Sequence, residues 1–216
     1  MSTAKVVIAD DHPLFRTALR QALAACTEDD EILEAQNFGE LLNVIKQQAE
    51  LELVFLDLHM PGNDGFTGLS LLQNHHPDLT VVMVSSEDNP DMMRKALALG
   101  ASAFIPKSAD FNTIAYAVNQ VREGHSWLPA GIDLQDDSSE DVEYRQLAEQ
   151  LSQLTPQQYT VLEMIANGRL NKQIAYDLNI QETTVKKHVS AVLAKFGVNN
   201  RTQLGVAFQQ LRLKGG

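Results

Sequence analysis

Cysteine is almost missing. Cys26 is the only one in 216 residues, so no disulfide can form within the chain. Its expected role is a small apolar side chain in a core rather than a reactive thiol. Long hydrophobic runs are missing too. No stretch approaches the ~20 apolar residues that a helix needs to span a bilayer. The opening Met1-Ser2-Thr3-Ala4-Lys5 runs straight into a strand-like segment, without the apolar core and cleavage site of a signal peptide. These absences predict a soluble, cytoplasmic protein with no membrane partner. The composition, 44% hydrophobic and 21% charged, excludes collagen-like and low-complexity chains. The length fits one large domain or two small ones. No internal repeat is found.

Positive charge is the next scarcity, with 17 Lys and Arg against 28 Asp and Glu and a net charge of -11. Taken whole, that balance argues against nucleic acid. Its distribution reverses the inference. Residues 1–130 carry a net charge of -10, residues 131–151 carry -6, and residues 152–216 carry +5. An acidic module, an acidic connector and a basic module lie in sequence. Such asymmetry hints at nucleic acid for the basic part alone, and a solvated charged surface has the same signature.

What is present is a strict alternation. Short apolar runs occur at Val6–Ala9, Glu31–Leu33, Leu53–Leu56, Val81–Val84 and Ala103–Ile105. Consecutive aliphatic and β-branched residues are expected of strands buried on both faces. Helix-period segments lie between and after them, near 13–26, 38–49, 66–75, 90–99 and 110–123. The expected fold is α/β, a doubly wound five-stranded parallel sheet. Gly100 suits a left-handed cap after the fourth helix. Residues 126–150, with Pro129, Gly131, serines and a run of acids, read as a connector whose second half, Val142–Leu151, can form a helix. Beyond it the pattern is purely helical, near 156–167, 171–178, 182–196 and 201–213. The expected domains are 1–125, an acidic linker at 126–151, and a small all-α domain at 152–216.

In such a sheet, ligands sit outside the carboxyl ends of the strands. Asp10 and Asp11 end the first strand, Asp57 the third, and Ser85 and Ser86 the fourth, while Lys107 lies just past the fifth. Three carboxylates, hydroxyls and a lysine therefore converge on one edge. Adjacent carboxylates repel, and a divalent cation that prefers oxygen relieves them. Mg²⁺ suits such a site because it keeps its waters and needs few protein ligands. A carboxylate can also attack phosphorus and form an aspartyl phosphate. A hydroxyl and a lysine then bind the phosphoryl oxygens. Any one of these residues alone would be an ordinary turn or cap residue. Their joint occurrence at successive strand ends carries the inference.

Residues 5–123 resemble the receiver of response regulators. The carriers are Ile8-Ala9-Asp10-Asp11-His12-Pro13-Leu14-Phe15-Arg16, similar to the opening of the NarL/FixJ family, and Asp57-Leu58-His59-Met60-Pro61-Gly62, similar to its phosphorylation loop. The resemblance implies phosphorylation of Asp57 by a sensor histidine kinase. It implies a metal held by Asp10, Asp11, Asp57 and the backbone carbonyl of His59, not by the His59 imidazole. It places Ser85 at the hydroxyl position, Phe104 at the aromatic switch position and Lys107 at the lysine position. Phe104 lacks a tyrosine hydroxyl, so a switch acts there by ring burial. Ser108 stands where many receivers have a proline in a cis peptide. A cis bond before serine costs ~2.5–4 kcal/mol, which disfavours it here.

In the basic part, Thr155 is a good N-cap and Pro156 suits the first helical position. Gly168 ends that helix. Asn171–Leu178 forms a short helix, Asn179-Ile180-Gln181 a turn in which Asn tolerates the left-handed conformation, and 182–196 a longer helix. Val185, Val189, Val192, Leu193 and Phe196 share the core-facing stripe of the longer helix. Thr183, Lys186, Lys187, Ser190 and Ala194 face away, a surface read as basic and free of acid. Such a face fits a major groove, where its lysines can meet phosphates or base edges. His188 sits at the edge between the faces, as a packing residue. Residues 152–210 resemble the LuxR-type helix-turn-helix domain through Leu154-Thr155-Pro156, Asn171–Ala175, Thr184–Val189 and Val198–Thr202. This implies that Lys186, Lys187 and Ser190 face the groove of double-stranded DNA. Lys172, Thr184 and Asn199 then touch phosphates, and the last helix pairs two domains in a homodimer on DNA. Gln158 replaces the family's usual glutamate. Gln181 replaces a serine cap, at a cost of ~1 kcal/mol.

The reading is a DNA-binding transcriptional response regulator and not an enzyme acting on an external substrate. Two rivals remain. One is a DNA-binding regulator whose receiver works without phosphorylation. The other is an aspartyl-nucleophile phosphohydrolase, which usually has a second acid where His59 stands and has no use for a helix-turn-helix.

Overall fold

The computed structural model describes residues 5–26, 30–132, 146–147, 149–151 and 153–209. Most of the predicted connector and the end of the predicted last helix, 210–213, lie outside the described residues. The chain divides into two compact units, Met1–Tyr144 and Arg145–Gly216.

In the first unit, strands β1 (Lys5–Ala9), β2 (Glu31–Ala35), β3 (Leu51–Asp57), β4 (His59–Met60), β5 (Asn63–Asp64), β6 (Thr80–Ser85) and β7 (Ala103–Pro106) alternate with helices. The helices are α1 (Pro13–Cys26), α2 (Phe38–Gln47), α3 (Thr67–His75), α4 (Pro90–Ala98) and α5 (Phe111–Arg122). Five strands form one parallel sheet in the order β2-β1-β3-β6-β7. The order reverses beside β1 and β3, so the crevice at their carboxyl ends is the natural ligand site. Each predicted apolar run lies within one of these strands.

Both sheet faces are covered. Val6, Ile8, Phe55, Val82 and Ile105 pack with Leu19 and Leu23 of α1 and Ile114 and Val118 of α5. The alternate residues Val7, Val54, Leu56, Val81, Met83 and Phe104 are buried as well. Each fully buried aliphatic side chain contributes roughly 1.5–3 kcal/mol, so the apolar runs suffice to fix the register. Helix starts are set by side-chain caps: Asn37 accepts from Glu40 N, Asn89 from Asp91 N and Asp110 from Thr113 N. Gly100, at φ +98°, ends α4 as expected. Trp127, within the predicted connector, bridges to Ala103 at the edge of the sheet, so this part of the segment is docked on the first unit.

The second unit contains α6 (Pro156–Ala166), α7 (Asn171–Asp177), α8 (Glu182–Phe196) and α9 (Arg201–Gln209). Residues 146, 147 and 149–151 are helical, as expected for the end of the connector, and Leu147 and Leu151 are buried. The Thr155 hydroxyl accepts from Gln158 N at 3.3 Å, and Gln158 Oε1 accepts from Thr155 N at 3.1 Å. Glutamine thus closes a capping box, as glutamate would. Its Oε1 also accepts from Lys195 Nζ at 2.7 Å, which ties α6 to α8. Tyr159, fully buried, meets Phe208 edge-on at 6.0 Å and joins α6 to α9. Asn179 takes φ +53° in the turn between α7 and α8.

Candidate functional sites

The strand ends deliver the predicted cluster. Asp10 and Asp57 are buried, while Asp11 and Lys107 lie nearer the surface. Lys107 Nζ sits 2.8 Å from both Asp10 Oδ2 and Asp57 Oδ2, and 5.5 Å from the centre of the Phe15 ring. The Lys107 amide donates to Ser85 O at 2.7 Å, which clamps the loop after β7 to the end of β6. Burial pushes the Asp57 carboxyl above its ordinary pKa. The hydrogen bond from Lys107 pulls it back, and the charge of Asp10 raises it again.

One ammonium does not satisfy this cluster. Asp10 Oδ2 is buried without a directed hydrogen bond, although the ammonium lies 2.8 Å away. Asp10, Asp11, His12 and Asp57 each bring a ligand atom within 4.8 Å of the others. Crowded carboxylates with an undersatisfied buried oxygen are the donor set of a hard divalent cation, so the residues fit Mg²⁺.

The remaining predicted residues surround the cluster. Ser85 is fully buried, and its hydroxyl accepts from Glu87 N at 3.0 Å. Phe104 is fully buried in β7. The His59 amide donates to Asp57 Oδ1 at 3.3 Å, and its imidazole turns to Glu87 Oε1 at 2.8 Å. The place where a phosphohydrolase would carry its second acid is therefore a histidine engaged elsewhere. The Lys107–Ser108 peptide is trans.

Three supports escaped the sequence reading. Arg16 is buried and donates to Asp10 O at 2.7 Å and Glu34 Oε2 at 2.9 Å, fixing the loop that bears the paired aspartates. Asn63 is buried, gives Nδ2 to Asp57 O at 2.8 Å and accepts from Gly68 N at 2.8 Å, fixing the loop after β3. The His12 imidazole joins the cluster itself. An amide inside a loop leaves no periodic mark, and Arg16, on the buried stripe of α1 with Leu19 and Leu23, puts a charge where the pattern asks for an apolar residue. His12 stood next to both aspartates and was the one signal available.

The second candidate site is α8. Val185, Val192 and Phe196 are buried, Val189, Leu193 and His188 are half-buried, and Thr183, Lys186, Lys187, Ser190 and Ala194 are exposed. Lys172 and Asn199 are exposed and Thr184 is half-buried. One expectation is corrected. The face is not free of acid, because Glu182 Oε1 lies 3.1 Å from Lys186 Nζ, one helical turn back. The Gln181 side chain makes no cap bond, as expected for that replacement.

A doubly wound sheet with paired carboxylates, an acceptor aspartate and a lysine at its strand ends defines a receiver, here followed by a helix-turn-helix. Comparison with known proteins agrees. Residues 6–119 match the response regulator receiver domain, and residues 152–208 match the luxR family of bacterial regulatory proteins. The chain is 40% identical over 203 residues to the glycerol metabolism activator of Pseudomonas putida, covering 92% of each. It is 33% identical to the DNA-binding transcriptional activator DevR/DosR of Mycobacterium tuberculosis, covering 96% of this chain and 95% of that one. It is 29% identical to the nitrate/nitrite response regulator NarL of Escherichia coli, covering 97% of each. In fold it is similar to the RcsB response regulator of Salmonella typhimurium, with a TM-score of 0.58 and 24% identity over 97% of this chain and 100% of that one. The chain belongs to the response-regulator family, in its NarL/FixJ branch. Among the described residues no helix is long and apolar enough to cross a membrane.

Proposed function

We propose that this response regulator takes a phosphoryl group on Asp57 from a sensor histidine kinase and regulates transcription as a homodimer on double-stranded DNA. One observation carries the reading. Asp57 is 2% exposed, and its Oδ2 meets Lys107 Nζ at 2.8 Å beside two further aspartates. A buried carboxylate held next to an ammonium is positioned and electrostatically prepared to become an acyl phosphate. An Asp57 oxygen attacks phosphorus of the kinase's phosphohistidine. The O–P bond forms as the P–N bond breaks, and the imidazole nitrogen keeps the electron pair. Lys107 and the Ser85 hydroxyl then receive phosphoryl oxygens. Asp10, Asp11, Asp57 and the His59 backbone carbonyl would hold Mg²⁺, which would supply charge neutralisation when bound. The group is captured, and no external substrate is turned over.

The two states differ in these contacts and in the packing of Phe104, and only such a differential can shift a population. Residues 1–125, extended by the docked Trp127, then form the receiver, the acidic stretch within 126–151 the linker, and residues 152–216, joined by the buried Leu147 and Leu151, the DNA-binding domain. In that domain Lys186, Lys187 and Ser190 face the major groove, and Lys172, Thr184 and Asn199 meet phosphates. The 33% likeness to DevR/DosR, a DNA-binding transcriptional activator, supports this assignment.

Labelled acetyl phosphate tests the reading. Stable capture that needs Mg²⁺ and vanishes in Asp57→Ala is expected. Continuous release of phosphate would favour a phosphohydrolase. No labelling, with intact DNA binding, would favour a regulator that works without phosphorylation.

A further inference from the structure

We propose that His12 is a nitrogen ligand of the receiver's cation site and tilts its metal preference toward borderline transition-metal ions such as Co²⁺ and Ni²⁺. This rests on the reading of Asp10, Asp11 and Asp57 as the cation site.

The imidazole is aimed into the cluster. Its Nδ1 lies 2.6 Å from Asp11 Oδ1, 3.3 Å from Asp10 Oδ1 and 3.9 Å from Asp57 Oδ2. Two ligands bound at ~2.1 Å lie ~3.0 Å apart at right angles and ~4.2 Å apart when opposite. The observed spacings fall around and between those values, so Nδ1 needs only small shifts to share an ion with the carboxylates. The backbone already holds the residue in place, because the His12 amide donates to Asp10 Oδ1 at 2.7 Å.

A positive centre already draws these groups together. Lys107 Nζ lies 2.8 Å from Asp10 Oδ2 and Asp57 Oδ2 and 3.2 Å from His12 Nδ1, with Asp11 Oδ1 2.6 Å from the same nitrogen. A divalent ion shared by Nδ1 and the carboxylates would take the imidazole lone pair together with the carboxylate electrons.

The consequence is selectivity. Mg²⁺ prefers oxygen and gains little from imidazole, whereas Co²⁺ and Ni²⁺ bind imidazole well. An all-oxygen receiver site lacks the share of that discrimination that an imidazole adds.

The test uses the full chain without a histidine tag, titrated with Co²⁺ by visible absorption and with Mg²⁺ by calorimetry. Only the Co²⁺ displaced by excess Mg²⁺ is counted, which removes binding at the other histidines. His12→Ala is expected to weaken Co²⁺ at least tenfold and Mg²⁺ less than threefold, and to shift the Co²⁺ absorption bands as a nitrogen ligand is lost. Equal Co²⁺ affinity with unchanged bands, a parallel fall for both ions, or no displaceable Co²⁺ would each overturn the proposal. Failure of Mg²⁺-dependent labelling in the unmutated protein would instead remove the functional reading beneath it.

Discussion

Asp57 and Lys186 stand at opposite extremes of this molecule. Asp57 is 2% exposed at the end of a central strand, whereas the side chain of Lys186 is 62% exposed on a helix. The receiver assembles its site from positions as far apart as Asp10 and Lys107, brought together by the strand order β2-β1-β3-β6-β7. The reading surface proposed for the helical unit lies on one continuous face of α8. A site made by topology shares its residues with the fold, so changes there alter chemistry and stability together. A site made by one helix face is separable, and changes there alter affinity while the domain stays folded.

The largest expected effect tests whether the two units stand apart. Tyr159→Ala removes a fully buried ring that touches Phe208 at 6.0 Å. Phenylalanine or tryptophan truncations in cores cost about 3–5 kcal/mol, and this ring is of similar size. A helical unit this small has little stability to spare. Denaturant unfolding followed by circular dichroism should show its helices lost early, while Asp57 still takes label from acetyl phosphate. Loss of labelling in the same variant would show that the receiver depends on its neighbour.

The next effect falls where the receiver's fold and chemistry share a residue. A Cβ at Gly68 would lie 2.4 Å from Asn63 Oδ1 and 2.8 Å from Phe38 Cε2. Gly68→Ala should therefore cost about 1–3 kcal/mol as overpacking. It should also slow phosphoryl capture, because Asn63 holds the carbonyl of Asp57 at 2.8 Å. Full capture rate in a destabilised variant would separate the loop from the site.

Asp57 itself sharpens the contrast in the opposite direction. Its pKa is raised, chiefly by burial, so the folded protein binds this proton more readily than the unfolded chain does. The ionised group therefore opposes folding. The penalty is absent below the ordinary aspartate pKa of ~3.9, grows as pH rises through the folded value, and is full above it. Asp57→Asn should melt at a higher temperature than the unmutated protein at pH 7 without divalent cations. The gap should close as the pH falls toward 4. A lower melting temperature at pH 7 would mean that the Lys107 ion pair outweighs the burial.

The same contrast decides what the sequence could tell. Four of the five apolar runs fall in strands buried on both faces, which writes itself as consecutive aliphatic residues, while the Glu31–Leu33 run falls in the half-buried edge strand β2. The α8 stripe was legible because helical period separates Val185, Val192 and Phe196 from the exposed lysines. The β4–β5 ribbon was not legible, since two residues per strand, His59-Met60 and Asn63-Asp64, carry no pattern. Nor was the burial of Arg16, which depends on Glu34 and the Asp10 carbonyl lying beside it in space. The receiver positions Asp57, Asp10 and Lys107 were legible through their places at strand ends. The contribution of His12 needed distances. The ion pair of Glu182 with Lys186 has the four-residue spacing at which such pairs form, but the outward face reads from Thr183 onward, which leaves Glu182 out.

That pair gives the smallest and most local prediction. Glu182 and Lys186 are both exposed, 3.1 Å apart, at the N-terminal end of α8. An exposed pair of this spacing contributes about 0.3–0.5 kcal/mol. An acid in the first turn of a helix adds about 0.3–1 kcal/mol through the dipole. Glu182→Gln should therefore cost only about 1 kcal/mol of stability. Its effect on DNA should have the opposite sign, because the carboxylate repels phosphates and holds Lys186 away from them. Affinity should rise on specific and scrambled DNA alike. If Lys186 gains a phosphate contact, the salt slope steepens by roughly one unit. If Lys186 already leaves Glu182 on binding, affinity rises with the slope unchanged. A fall in affinity with relaxed preference at one base pair would give Glu182 a different role, accepting from a cytosine edge in the groove. Titrating the folded variant at several salt concentrations separates these cases. Unchanged affinity and slope on both DNAs would take Glu182 and Lys186 off the reading surface and leave Lys187 and Ser190 to carry it.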